Sequence, residues 1–169
     1  MAGEKFIKNN AGTLTEQKAL QTSVGAADAG KIPALDATGR IDASMLPVGI
    51  GADTVIIQAS ETLDAGSFVN VWNDGGDARA RLADASTAGK EAHGFVLAQA
   101  VSGTAATVYF EGSNTQVTGA TPGVVFLHTD AGGFTSTAPT STGSVVQRLG
   151  VATSATSINF EYTQPIVLA

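Results

Sequence analysis

The chain contains no cysteine, which excludes disulfides and thiolate metal sites and leaves the redox compartment open. Histidine occurs twice, as His93 and His128. Each stands at the end of a strand-like run, and neither has a second histidine at metal-ligand spacing. No G-x-S-x-G elbow is present to position a serine nucleophile, and no pair of carboxylates is singled out as an acid and base. Charged residues make up 14% of the sequence, well below the usual figure of about a quarter. A surface so light in charge favours contact with partners. No apolar run approaches the length of a membrane span. The first ten residues, MAGEKFIKNN, lack the apolar core of a signal peptide. The expectation is a soluble protein made in a cytoplasm, without catalytic residues, metal or cofactor.

What is abundant points to β structure. Twenty glycines, together with many threonines, serines and alanines, favour turns and strands over helices. Charge is unevenly placed. Residues 1–50 carry five bases and five acids, whereas residues 51–169 carry four bases against ten acids, so the whole net charge of −6 lies in the second region. An acidic body without a basic stripe is a poor match for a phosphate backbone, which argues against direct nucleic-acid binding.

Composition changes near PVGIGADT (residues 47–54), where proline and glycine interrupt any regular element. Before it, only TLTEQKALQTSV (13–24) has helical character, with Thr13 or Thr15 as cap and few apolar positions to bury. The remainder of residues 1–50 reads as an extended arm without a core of its own. After it, residues 51–169 contain short runs rich in β-branched and aromatic residues: SFVNVW (67–72), GFVLAQ (94–99), TVYFEG (107–112), GVVFLHT (123–129), VVQRLGVA (145–152) and SINFEY (157–162). Turn clusters separate them, so the body is expected to be a small β-sandwich or β-barrel. The body also repeats itself. DAGSFVNVWNDGGD (64–77) parallels TPGVVFLHTDAGGF (121–134), and HGFVLAQAVSGTAATVYFE (93–111) parallels LGVATSATSINFE (149–161). Gly66 to Gly123 is 57 residues and Gly94 to Gly150 is 56, a nearly constant offset. Two related halves, about 61–112 and 118–163, are therefore expected to pack as one pseudo-symmetric domain.

Several segments approach known chemistry and miss it. GAADAGKI (25–32) matches the first seven positions of a phosphate-binding loop but has Ile32 where Ser or Thr must hold Mg²⁺. NDGGD (73–77) lacks the alternating ligands of a calcium loop and reads as a tight turn. Trp72, Tyr109 and Tyr162 are candidates for a glycan-binding surface, although aromatics within strands more often serve a core or interface.

One stretch, AGKIPALDATGRIDASMLP (29–47), contains the same Gly–base–Ile unit twice, at Gly30 and at Gly39. It resembles a segment recurring in structural proteins of tailed bacteriophages, with the pattern G-K-[IV]-x-x-L-[DN]-x-x-G-[KR]-[IL]-x-x-x-x-[LI]-P. Residues 121–156 are similar to the β module of phage head decoration (cement) proteins and fibres. There a glycine-closed strand leads to G-G-[LF]-T-x-x-x-P and then to G-x-[VI]-V-Q-x-[LV]-G-x-A. The resemblance implies a non-enzymatic virion protein, homotrimeric, on the outer surface of the capsid and bound to the major capsid protein. The short chain without heptads suits decoration better than a fibre shaft. The arm would then dock through Phe6, Ile7, Ile32, Leu35, Ile41, Met45 and Leu46, either on the shell, on the chain's own β body or on sister subunits. The alternative is a head- or tail-fibre or receptor-binding module that contacts a host surface glycan or protein.

Overall fold

Strands β1 (Lys5–Asn10) and β2 (Thr13–Lys18) open a computed structural model that describes residues 5–46 and 51–169. The chain falls into two units, Met1–Gly51 and Ala52–Ala169. Residues 47–50 of the expected junction lie outside the described residues.

In the first unit, Thr13–Lys18, the first half of the one segment with helical character, is instead the second strand of a hairpin. Thr13 and Thr15 are β-branched, and Ala11 and Gly12 both adopt positive φ (51° and 95°), the two-residue turn that suits the twist of a hairpin. Once that turn forms, Lys5↔Lys18 through Asn10↔Thr13 pair antiparallel, and helix propensity over a few residues is too weak to compete. Among the described residues there is no α-helix, only two single 3₁₀ turns at Ala26–Asp28 and Ala43–Met45.

The second unit is built from β3 (Thr54–Ala59), β4 (Phe68–Asp74), β5 (Asp77–Leu82), β6 (Gly94–Val96) and β7 (Ala105–Tyr109), then β8 (Gly112–Asn114), β9 (Gly123–Leu127), β10 (Phe134–Thr135), β11 (Val145–Val146), β12 (Arg148–Ser154), β13 (Ser157–Phe160) and β14 (Ile166–Val167). The first five close into a barrel in the cyclic order β3-β5-β4-β6-β7, and the second set forms an open sheet in the order β10-β9-β12-β13-β8. Matching β3 with β8, β4 with β9, β5 with β10, β6 with β12 and β7 with β13 makes the two neighbour orders identical. The duplication seen in the sequence is thus a duplication of fold. Its register is kept as well: Val69↔Gly94 in one copy is Val125↔Gly150 in the other. Each of those glycines is required, because a Cβ on Gly94 would sit within 3.0 Å of the Tyr109 carbonyl oxygen, and one on Gly150 would do the same at Asn159. The strands β3 and β8 lie ahead of residues 61 and 118, where the sequence pattern begins the two halves.

Closure differs between the copies. In the first, β3 meets β5 in parallel at Gln58↔Arg79 and Ala59↔Ala80. In the second, β10 is two residues long and β8 three, and they do not meet. The open sheet is covered instead by the outside of the barrel. Val69, Val96, Val108 and Ile57 fill the barrel, while Phe68 and Phe95, their chain neighbours on the opposite face, join Val125, Leu127, Leu149, Ile158 and Phe160 in a second core. Strands β4 and β6 therefore bury both faces, which is why FVN and GFV read as continuous rather than alternating. Rings of Phe68, Phe95 and Phe160 lie 5.7–6.5 Å apart in tilted or edge-on pairs. Each buried phenyl contributes about 1.5–3 kcal/mol. The buried Gln147 also bridges the copies: Oε1 accepts from Ala92 N at 2.7 Å, and Nε2 donates to Ala92 O at 2.8 Å and Thr163 O at 3.2 Å.

Candidate functional site

The N-terminal unit holds its shape through turn chemistry. Three aspartates organise it, each serving backbone amides that no ladder claims. Asp28 accepts from Val24 N and from the Lys31 ammonium, both at 2.7 Å. Asp36 accepts from Thr38 N, Thr38 Oγ1 and Arg40 N at 2.7–3.0 Å. Asp42 caps the turn at Ala43, accepting from Ser44 N at 2.9 Å and Ser44 Oγ at 2.6 Å. Ser44 Oγ in turn accepts from Ser23 N at 2.8 Å, tying the two turns together. Hydrogen bonds to the charged form hold all three carboxyls below the usual range: the Lys31 bond chiefly for Asp28, the Thr38 hydroxyl for Asp36 and the Ser44 hydroxyl for Asp42.

The repeated Gly–base–Ile unit follows from the same geometry. Gly30 and Gly39 both take φ of 78°, the left-handed conformation that closes a turn begun by an aspartate. Lys31 N bonds to Asp28 O at 3.1 Å, and Gly39 N to Asp36 O at 3.0 Å. The loop resembling a phosphate cradle is thus occupied by its own Asp28–Lys31 pair, and no strand leads into it.

Little of this unit is buried. Ala19 and Ala34 are its only buried hydrophobic residues among those described, whereas Ile7, Ile32, Leu35, Ile41 and Leu46 are 39–63% exposed. Phe6 and Met45 are half-buried. The structure brings only some of the seven together. Ile7 and Phe6 point to opposite faces of the hairpin, as the alternation of β1 requires. Met45 lines a shallow hollow of about 200 Å³ with Leu20 and Pro33, whose charged rim is Asp28 and Lys31. Two further exposed residues, Leu14 and Val24 at 70% and 82%, were missed by the sequence reading. Leu14 shares the Ile7 face, across from Asn9, a relation visible only once TLTEQK is read with a period of two.

The remaining candidates are in the body. Each histidine accepts a backbone N–H at Nδ1, His93 from Val71 at 3.0 Å and His128 from Asp130 at 2.8 Å. NDGGD is the β4–β5 turn, where Asn73 Oδ1 accepts from Gly76 N at 2.7 Å. The three aromatic candidates stand apart: the Arg81 guanidinium covers Trp72 at 4.8 Å, Tyr109 stacks on Phe95 at 5.4 Å and Tyr162 lies beside His93 at 6.2 Å. Among the described residues no group of three or more His, Asp or Glu is placed to hold a metal ion, and no helix is long and apolar enough to cross a membrane. No family model matches this chain, and no curated protein and no solved structure matches it.

Proposed function

We propose that the protein is a capsid decoration protein of a tailed bacteriophage, docked through its N-terminal unit on the outer surface of the head, where it bridges neighbouring major capsid proteins. The observation that carries this reading is the contrast between a body with two filled cores and an N-terminal unit whose large apolar side chains face outward. An isolated two-stranded hairpin is at best marginally stable in water, and so is a unit with two buried alanines. Contact with a partner supplies the burial that both lack. The turns anchored by Asp28, Asp36 and Asp42 set the backbone in advance, which lowers the ordering cost of about 1–2 kcal/mol per residue that a free arm incurs on docking. The resemblance of residues 29–47 and 121–156 to virion proteins supports a capsid as the partner. The acidic body faces outward and away from packaged DNA. The protein acts as a homotrimer, as the resemblance implies, which increases avidity over a lattice.

Co-sedimentation with undecorated capsids tests this. The full chain is expected to saturate at hundreds of copies per particle, on the order of the number of capsomers. Replacing Ile32, Leu35 and Ile41 together by Asp is expected to abolish binding, since each lost apolar contact costs about 1.5–3 kcal/mol. Binding that survives this triple change, or stays at a few copies per head, would transfer the protein to the fibre or receptor-binding class, and a screen against host glycans would follow.

A further inference from the structure

The two copies differ at one connection. In the second, β12 and β13 are zipped to their turn, from Gly150↔Phe160 to Ser154↔Ser157. In the first, Gly94 and Phe110 are 16 positions apart where Gly150 and Phe160 are 10 apart, six residues more. The β6–β7 ladder stops at Val96↔Val108. Beyond that point the chain leaving β6 turns to another partner: Ala100 exchanges backbone bonds with Leu63 at 2.8 and 2.9 Å. Strand β7 nevertheless runs on to Ala105, because β3 holds its other side.

Strand alternation fixes which groups face the gap. Phe110 N donates to Asp53 O and Ala59 N to Thr104 O, so the even-numbered residues of β7 serve β3. The N–H and C=O groups of Ala105 and Thr107 point to the side that β6 has left; the Val96↔Val108 pairing engages the Thr107 C=O through Leu97 N, and among the described residues no backbone bond reaches the Ala105 groups or the Thr107 N–H there. The gap is a hollow of about 200 Å³ lined by residues 97–100, 105–107 and 109. Not one of these is charged, in a body that carries ten acids and four bases. On the neighbouring strand Ile56, paired with Thr107, is 72% exposed and extends the same outer face.

We propose that this gap is an insertion site for one extended, uncharged peptide strand of a partner protein, which pairs with the bare edge of β7 at Ala105 and Thr107. Main-chain bonds supply the attachment and the lining selects the side chains. Alanines at 98, 100, 105 and 106 leave room for small or β-branched residues. A charged residue would enter a hollow holding no counter-charge, at the cost of its hydration. A β-branched side chain opposite Thr107 joins the Ile56 face. The inference rests on the body alone and stands apart from the capsid reading.

Hydrogen exchange of the full chain tests it, with an end-blocked six-residue peptide of alternating valine and threonine as probe. Without peptide, the amides of Ala105 and Thr107 are expected to exchange faster than those of Ala106 and Val108, which serve β3. With peptide, Ala105 and Thr107 become protected, and a peptide with glutamate in place of valine has no effect. Thr107→Pro removes a gap-facing donor and spares the β3 ladder, so protection is lost in this variant. Should it fold poorly, Thr107→Lys keeps the backbone and places a charge in the gap, with the same expected loss. Unchanged exchange at Ala105 and Thr107 with millimolar peptide overturns the proposal, as does protection that persists in both variants. A monomer–oligomer shift caused by either variant also overturns it, since the occupant is then a second copy of this chain.

Discussion

The two copies of the body share strand order and the register at Val69↔Gly94 and Val125↔Gly150, yet one is a closed barrel and the other an open sheet. Length explains the difference. Strand β3 has six residues, enough to reach β5 while paired to β7, whereas β8 has three and β10 two. An open sheet with a bare apolar face is not stable alone, so the second copy depends on the Phe68–Phe95 face of the first. The barrel has its own interior of Ile57, Val69, Val96 and Val108. A duplicated motif thus yields one self-filled copy and one dependent copy.

Phe95→Ala should break this relation most severely. It empties the shared core and is expected to cost about 3–5 kcal/mol, with the second copy losing amide protection ahead of the barrel, as read by urea titration followed by hydrogen exchange. If both copies open together, the dependence is mutual rather than one-sided. The paired glycines sharpen the comparison. Gly94→Ala and Gly150→Ala each force a Cβ against a partner-strand carbonyl, at about 1–3 kcal/mol. Gly150 also holds φ of 136°, where an L residue adds about 1–2 kcal/mol of strain, so the Gly150 variant should melt lower. Equal melting temperatures would show that the second sheet relaxes where the barrel cannot.

The smallest effect separates the N-terminal unit from both copies. The carboxyls of Asp28, Asp36 and Asp42 are held below their usual range by bonds to the charged form. Their contribution is therefore complete above about pH 4 and is lost as pH falls through the lowered folded values. Acidification below about pH 4 should release the Val24, Arg40 and Ser44 amides while the neutral cores stay closed, which amide NMR would resolve. Simultaneous loss of the body's signals would contradict this order.

The β class, the duplication and six of the body's strand-bearing segments were legible because β-branched and aromatic runs stand between glycine-rich turns. Strand β5 was not, because DARARL (77–82) carries neither signal. It is a strand because the Asn73–Gly76 turn folds it back on β4, six pairs in register. Strand β3 was hidden by its place against the glycine-rich junction. The helical character of 13–24 was not realised for a related reason: a two-residue turn at Ala11–Gly12 made Thr13–Lys18 a strand, and single-residue propensity did not decide it. Of the residues proposed for docking, the exposed aliphatics of 32–46 were readable from their repeat. Leu14 was not, because its partnership with Ile7 is a property of the hairpin.

Local chemistry is written in the sequence because it acts over a few residues. An aspartate two to four positions before its amides, a glycine at positive φ and a β-branched run need no distant partner, and the turns of the N-terminal unit and the strand-rich body follow from them. Closure does not. Whether β3 reaches β5, whether Phe68 and Phe95 face solvent or a second sheet, and whether β6 stays with β7 or leaves it for Leu63 depend on contacts between residues far apart in the chain. Only the tertiary structure brings these together, so it alone decided that the body is one closed and one open copy with a bare strand edge between β6 and β7.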